Sequence, residues 1–284
     1  MKTQSGFTLM TVAEFESWIA SQRVTRGIRL VQLHHTWSPA YAQFNGSNHF
    51  TLQSNMKSYH LSIDYDDIAQ NLTIFPDGQV MTGRSLNVAP AGCKGANSNG
   101  ICIENIGNFD VGGDTMTDAH KDAIVRVTAA LLKKFGLSPE SGVTYHAWWT
   151  ASGTSLGTYI AGKSCKTCPG TAFFGGNTRA SYDKCLKPLL TAAMNGSYQT
   201  KEEDDDMMSK EQFREMWLQM RKDLQDNDSS TYSAEARQWA IDNGIIQGSG
   251  ALADGSPNYM WEDVPTREQL ITLFYRFAHY MGKV

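Results

Sequence analysis

The chain has 284 residues, a formal net charge of −4, and 41% hydrophobic and 19% charged residues, proportions of a globular protein with ample length for a buried core. No stretch has the roughly 20 apolar residues that a membrane span needs, so no membrane partner is expected. Residues 201–284 carry 9 Lys+Arg against 16 Asp+Glu while residues 1–200 carry 16 against 13, which points to two modules and argues against nucleic acid as the target of the acidic one.

In chain order, the opening MKTQSGFTLMTVAEF lacks the continuous apolar run of a signal peptide, so the expectation is synthesis in the cytoplasm and another route to any outside target. Residues 12–20 show apolar spacing of a short amphipathic helix. The run from Ile28 to Leu33 reads as a buried strand ending at His34 and His35. Residues 38–57, polar and turn-prone around Asn45-Gly46, read as a surface loop. A strand is expected over Tyr59–Ile63, then a hairpin of Leu72–Phe75 and Gln79–Met81 across Pro76-Asp77-Gly78. After a Gly/Asn-rich loop (87–100), Ile101–Ile106 reads as a strand containing Glu104. Residues 117–135 form the clearest helix, with Gly136 as its stop. Val143–Tyr145 is a short strand delivering His146, and a further helix is expected over 178–194. Strands mixed with helices predict an α/β fold, a central mixed sheet flanked by helices.

The acidic run Lys201–Asp206 reads as a linker by composition, giving a first domain at 1–197, a linker at 198–208 and a small all-α module at 209–284. The last contains a repeat 57 residues apart. Ser209-Lys-Glu-Gln-Phe213 and Thr266-Arg-Glu-Gln-Leu270 each open as a capping box followed by apolar residues at helical spacing. A helix with Trp239 and Ile241, closed by Gly244, lies between them.

The five cysteines, at 93, 102, 165, 168 and 185, do not suggest a disulfide framework in a chain of this size. The stretch from Tyr145 to Gly170 combines His146, Lys166 and Cys168. One histidine from the end of an upstream strand, with His146 and Cys168, makes three protein ligands with a fourth position open, the pattern of a catalytic zinc. Which of His34 and His35 binds is left open by periodicity, because strand neighbours face opposite ways. The Cys165-x-x-Cys168 pair lacks both the strand-to-helix context of a redox dithiol and the second pair of a zinc ribbon. Lys166 would favour the thiolate and face a substrate. Glu104, in an apolar strand, is either a paired structural charge or a general base beside a metal.

LVQLHHTW, SYHLSID, FPDGQV, ICIENIGNFD and YH…KTCPG, in that order, resemble the zinc-dependent N-acetylmuramoyl-L-alanine amidases, a family that includes phage-lysozyme-type amidases and peptidoglycan recognition proteins. The resemblance covers roughly residues 25–180. It implies zinc held by His34, His146 and Cys168, with Glu104 as catalytic carboxylate and Lys166 and Tyr59 as oxyanion donors, His60 being a core residue. The implied reaction is hydrolysis of the amide joining N-acetylmuramic acid to L-alanine in peptidoglycan. The Gly/Ser/Thr-rich segment between His146 and Cys168 is longer than the family pattern, and it offers Cys165 as a substitute ligand. AEARQWAIDNGIIQGSG and WEDVPTREQLITLFYRFA resemble surface-layer homology repeats, which implies binding of cell-wall polysaccharide. An incomplete repeat cannot bury its own face, so self-association through this module is expected. An internal translation start at Met207 or Met208 would yield the module alone as a co-assembling fragment. The whole reads as a phage or prophage endolysin of Gram-positive hosts, made in the host cytoplasm and acting on the wall after release. The alternatives are a bacterial autolysin and a recognition protein that binds peptidoglycan without cutting it.

Overall fold

The computed structural model describes residues 1–199 and 210–284, in two compact units, Met1–Glu202 and Glu203–Val284. In the first unit the chain runs β1 (Lys2–Gln4), β2 (Phe7–Met10), α1 (Val12–Ser21), β3 (Leu30–His35), α2 (His49–Ser62), β4 (Leu72–Ile74), β5 (Val80–Thr82), β6 (Gly100–Asn105), α3 (Asp118–Phe135), β7 (Val143–Tyr145), α4 (Arg179–Lys184) and α5 (Leu186–Asn195). The strands form one seven-stranded sheet in the order β1-β2-β5-β4-β6-β3-β7. β4, β6, β3 and β7 are parallel neighbours, whereas β1, β2 and β5 join antiparallel. Parallel pairs require long crossovers, and α2 and α3 lie in the crossovers β3→β4 and β6→β7.

Period-two alternation decides what each face of the sheet holds. Val31, Leu33, Leu72, Ile74, Ile101 and Ile103 point to one side, where they pack with residues of α1, α3 and α5 in the main core. Each such side chain, fully buried, contributes roughly 1.5–3 kcal/mol. A smaller cluster on the other side joins Leu9, Met81 and Ile106 to Leu52 and Met56 of α2. α3 is capped by Thr117, whose side chain accepts from His120 N, and ends at Gly136 with φ 64°. The mixed sheet and flanking helices are those expected.

Three local expectations are corrected. Tyr59–Ile63 is not a strand, since residues 49–62 are helical, and the same helix replaces the second half of the loop expected over 38–57. Its inward positions include His49 and Gln53 as well as Leu52 and Met56, so polar residues hide the helical stripe. The helix expected over 178–194 breaks at Cys185 into α4 and α5. β1 and β2 form a hairpin turning at Ser5-Gly6, both at positive φ, which the sequence reading missed.

The second unit holds α6 (Lys210–Asp223), α7 (Ala234–Asp242) and α8 (Arg267–Tyr280). The Thr266/Gln269 capping box is present, and Gly244 follows α7 with φ 69°. Arg221 holds Asp263 through two hydrogen bonds of 2.8 and 2.7 Å. Phe213, Trp217, Trp239, Phe274 and Phe277 remain exposed. Ser209 of the first capping box, most of the expected linker, and Met207 and Met208 lie outside the described residues. No helix among the described residues is long and apolar enough to cross a membrane.

Candidate metal and catalytic site

The parallel ladder β6-β3-β7 sets the site. Register pairs Gln32 with Cys102 and His34 with Glu104 across β3 and β6. Residues in register on adjacent strands share a face, so all four side chains stand on the face opposite the main core. Leu33 pairs with Tyr145 on β7, which puts His146 one step past the strand, level with His34. The third contributor comes from the loop ahead of α4. Ala147 N donates to the Cys168 carbonyl at 2.7 Å and His35 N donates to Cys168 Sγ at 3.4 Å, clamping this loop onto the strand ends. Gly170, at φ 122°, packs so closely that a Cβ would come 2.3 Å from the Phe109 carbonyl oxygen.

His34, His146 and Cys168 each bring one ligand atom within 4.8 Å of the others. His34 Nδ1 lies 3.5 Å from Cys168 Sγ, and the two imidazole rings are 4.9 Å apart. His34 Nε2 lies 3.2 Å from Gln32 Oε1. A carbonyl-type oxygen only accepts, so Nε2 carries the proton and Nδ1 presents its lone pair to the site. Two imidazoles and a thiol suit a borderline-soft divalent ion, zinc above all. His35 stands apart, with its Nδ1 accepting from Phe109 N at 3.1 Å. Alternation left the pair open, and the geometry brings His34 to the cluster.

Electrostatics keep the two histidines, but not the thiol, in binding form. Burial, with the Lys166 charge second, pushes the His146 imidazole down to about 4, and burial holds His34 well below an ordinary imidazole. Both are therefore neutral at pH 7. Burial raises the Cys168 thiol and the Glu104 carboxylate adds to this, so a bound cation would have to displace the thiol proton. Glu104 is pushed up to about 8 by burial, with Lys166 pulling it down. Its Oε1 is 3.8 Å from His34 Nδ1, and its Oε2 has no partner among the described residues. A carboxyl group that titrates near neutrality beside a metal-capable cluster can take and return a proton.

These side chains open into a groove of about 930 Å³ that also reaches Lys166, Tyr59 and His60. Lys166 is exposed and its charge is felt at His34, His146, Glu104 and Cys168. Tyr59 belongs to the helical wall, 63% exposed, its ring against His60 at 5.9 Å. His60 is half-buried rather than a core residue, and its Nδ1 accepts from Ala69 N at 3.2 Å. Cys165 stays outside the cluster, its Sγ 3.8 Å from the His146 carbonyl oxygen. The long segment between His146 and Cys168 folds into tight turns tied by the Trp149–Ser155 bridge.

Sequence reasoning missed five residues here. Cys102 forms a second metal-capable group with His34 and Glu104. Gln32 orients His34, and its position two residues earlier on the same strand face was a readable signal. Gln70 lines the groove with an Oε1 that has no partner among the described residues. Trp37 stands on the rim. Gly92 closes over the strands, where a Cβ would meet Gln32 Oε1 at 2.7 Å, Cys102 Sγ at 2.8 Å and His34 Nε2 at 3.2 Å.

Comparison with known proteins finds a match between residues 24–171 and the family model described as N-acetylmuramoyl-L-alanine amidase. Peptidoglycan-recognition protein 1 of Holotrichia diomphalia is 33% identical over 104 residues, 36% of this chain and 52% of that protein. The chain spans about half the length of the curated relatives it matches. Among solved structures, wild-type Drosophila PGRP-LB is 18% identical, with a TM-score of 0.43 over 64% of this chain and 88% of that one. The endolysin amidase LysCS from Clostridium intestinale URNW is 17% identical, with a TM-score of 0.40 over 52% and 78%.

Proposed function

The chain belongs to the N-acetylmuramoyl-L-alanine amidase family, and from that premise we propose that it is a zinc-dependent hydrolase cutting the amide between N-acetylmuramic acid and L-alanine of peptidoglycan. The observation that carries this reading is the convergence of His34, His146 and Cys168 within 4.8 Å, beside a carboxyl group with a raised pKa. Zinc held by His34, His146 and Cys168 would supply Lewis acidity to the carbonyl and bring a water's pKa to about 7. Glu104 takes the proton of the attacking water and returns it to the leaving amine. Lys166 donates to the developing oxyanion, with Tyr59 approaching from the helical wall. Gln32 keeps His34 in one tautomer throughout.

Kinship to recognition proteins raises binding without cleavage as a second reading. The complete ligand set together with Glu104 favours hydrolysis. Replacing Cys168 by Ser should remove bound zinc and wall-lytic activity together. Glu104→Gln should keep zinc and slow hydrolysis about 10²–10⁴-fold. Metal analysis and turbidity loss on purified walls read both, and wild-type activity in zinc-free Cys168→Ser would refute the proposal.

The setting we assign is a phage or prophage endolysin acting on Gram-positive walls after release. The C-terminal unit is its wall-polysaccharide module by its likeness to surface-layer homology repeats, and the exposed Phe213, Trp217, Phe274 and Phe277 support self-association through it. Truncation after residue 206 should lower the mass measured by light scattering to that of a monomer; an unchanged oligomeric state would exclude the module as the interface.

A further inference from the structure

Trp37, on the groove's rim, has a backbone and a side chain that are both placed against ordinary preference. It adopts φ 57°, the left-handed region where a Cβ crowds its own backbone and which bulky residues avoid. It does so three residues after His34, with 62% of its surface exposed, while lining the same groove as the metal-capable cluster. The surroundings hold it there. Trp37 N donates to the Gly107 carbonyl at 3.0 Å, Gly107 N donates to Thr36 Oγ1 at 3.0 Å, and Thr36 Oγ1 donates to the Pro39 carbonyl at 2.5 Å. The ring takes part in neither core cluster, and glycine would meet the same backbone without strain. Strain that the fold sustains beside a reactive groove marks a residue kept for use.

We propose that the Trp37 indole is the platform on which the muramyl sugar ring stacks, a specificity contact that rests on the amidase reading. The scissile carbonyl belongs to the lactyl group and is joined to the pyranose through one carbon and an ether oxygen. With the carbonyl at the cluster, the sugar lies within a few ångströms of it, and three residues of extended chain span at most about 10 Å. One face of a pyranose is a patch of C–H groups carrying slight positive charge, which matches the negative face of an indole. The sugar hydroxyls stay at the edge, toward water. A stem peptide, with its amides and carboxylates, is read by hydrogen bonds and charge, which an exposed indole face does not offer.

The test compares the full-length protein with Trp37→Gly on two probes, N-acetylmuramoyl-L-alanyl-D-isoglutamine and the same lactyl dipeptide without the sugar. The wild type should favour the sugar-bearing probe, and the variant should lose about tenfold of that preference in kcat/KM. The melting temperature of Trp37→Gly should equal or exceed that of the wild type, because the left-handed backbone is relaxed. Calorimetric binding of both probes in a Glu104→Gln background repeats the comparison without turnover. Absence of cleavage by the wild type would therefore sink the amidase reading and leave the sugar contact measurable. The proposal is overturned if the preference is unchanged, if both probes lose equally, which would place the peptide on Trp37, or if the variant melts several degrees lower, which would make the ring a packing residue.

Discussion

Replacing Gln32 by Leu tests the hydrogen bond that orients His34 in the metal-capable cluster. It also removes a longer bond of 3.4 Å from Gln32 Nε2 to Asn97 Oδ1, which keeps Cys93 N as donor. Leucine fills a similar volume but cannot accept from His34 Nε2, now 3.2 Å from Gln32 Oε1. The other donor to that oxygen, Cys93 N at 3.0 Å, also donates to Asn97 Oδ1 at 2.8 Å and stays satisfied. The loss therefore falls on His34, which is 2% exposed and keeps a buried N–H without an acceptor. Stranding such a donor costs about 1–3 kcal/mol of stability. It also frees the ring to change tautomer, and loss of an outer-shell partner of this kind lowers metal affinity about 10–100-fold. Competition with a fluorescent zinc chelator measures the affinity, and thermal melts in chelator measure the metal-free fold. A variant that melts lower but binds zinc within twofold of the wild type would show that Gln32 supports the sheet and not the ligand, refuting the reasoning.

Acid should weaken the fold through His120. Burial pushes its imidazole down to about 3, and Nδ1 is 2.8 Å from the Tyr41 hydroxyl while Nε2 has no partner among the described residues. The folded pKa lies below the unfolded value of about 6.5. The stabilisation is thus complete above pH 6.5 and is lost as pH falls toward about 3, on the order of 4 kcal/mol over that window. Urea unfolding between pH 7 and pH 4, followed by near-UV circular dichroism, should show a shallower pH slope for His120→Gln; an equal slope would assign the acid sensitivity elsewhere. Gly170→Ala should destabilise by more than about 2 kcal/mol, since φ 122° and the Phe109 carbonyl leave no room for a Cβ. Its zinc content should fall with its melting temperature, because Cys168 lies in the same turn, and a wild-type melt would contradict the packing described.

The strands bearing the site were readable because their chemistry follows their pattern. Val31 and Leu33 alternate with Gln32 and His34, and Ile101 and Ile103 with Cys102 and Glu104, so buried apolar positions set the face on which polar groups emerge. α2 was hidden for the converse reason. His49 and Gln53 take inward positions, the latter accepting from Thr73 Oγ1 at 2.8 Å, and Tyr-His-Leu-Ser-Ile mimics strand alternation. Ser5-Gly6 was a legible hairpin signal, passed over because the flanking strands are so short. Lys166 was legible from its place beside Cys168 and Tyr59 came from the resemblance, and both reach the groove. Gln32 was readable two positions before His34, whereas Cys102 and Trp37 became visible only in the fold, since their meaning comes from what stands beside them across the sheet or groove.

His34 and Glu104 belong to adjacent strands locked in register, and His146 follows directly from a third. Only Cys168 arrives on a loop, and both ends of that loop are tied down. The cost of closing such a loop rises with the logarithm of its length, about 0.6 kcal/mol for each doubling. The segment between His146 and Cys168 can therefore grow or shrink at little cost to the metal-capable cluster. Loop length and cluster spacing are thus separable quantities in this fold: the segment can vary while the ladder beneath keeps His34, His146 and Glu104 at fixed spacing.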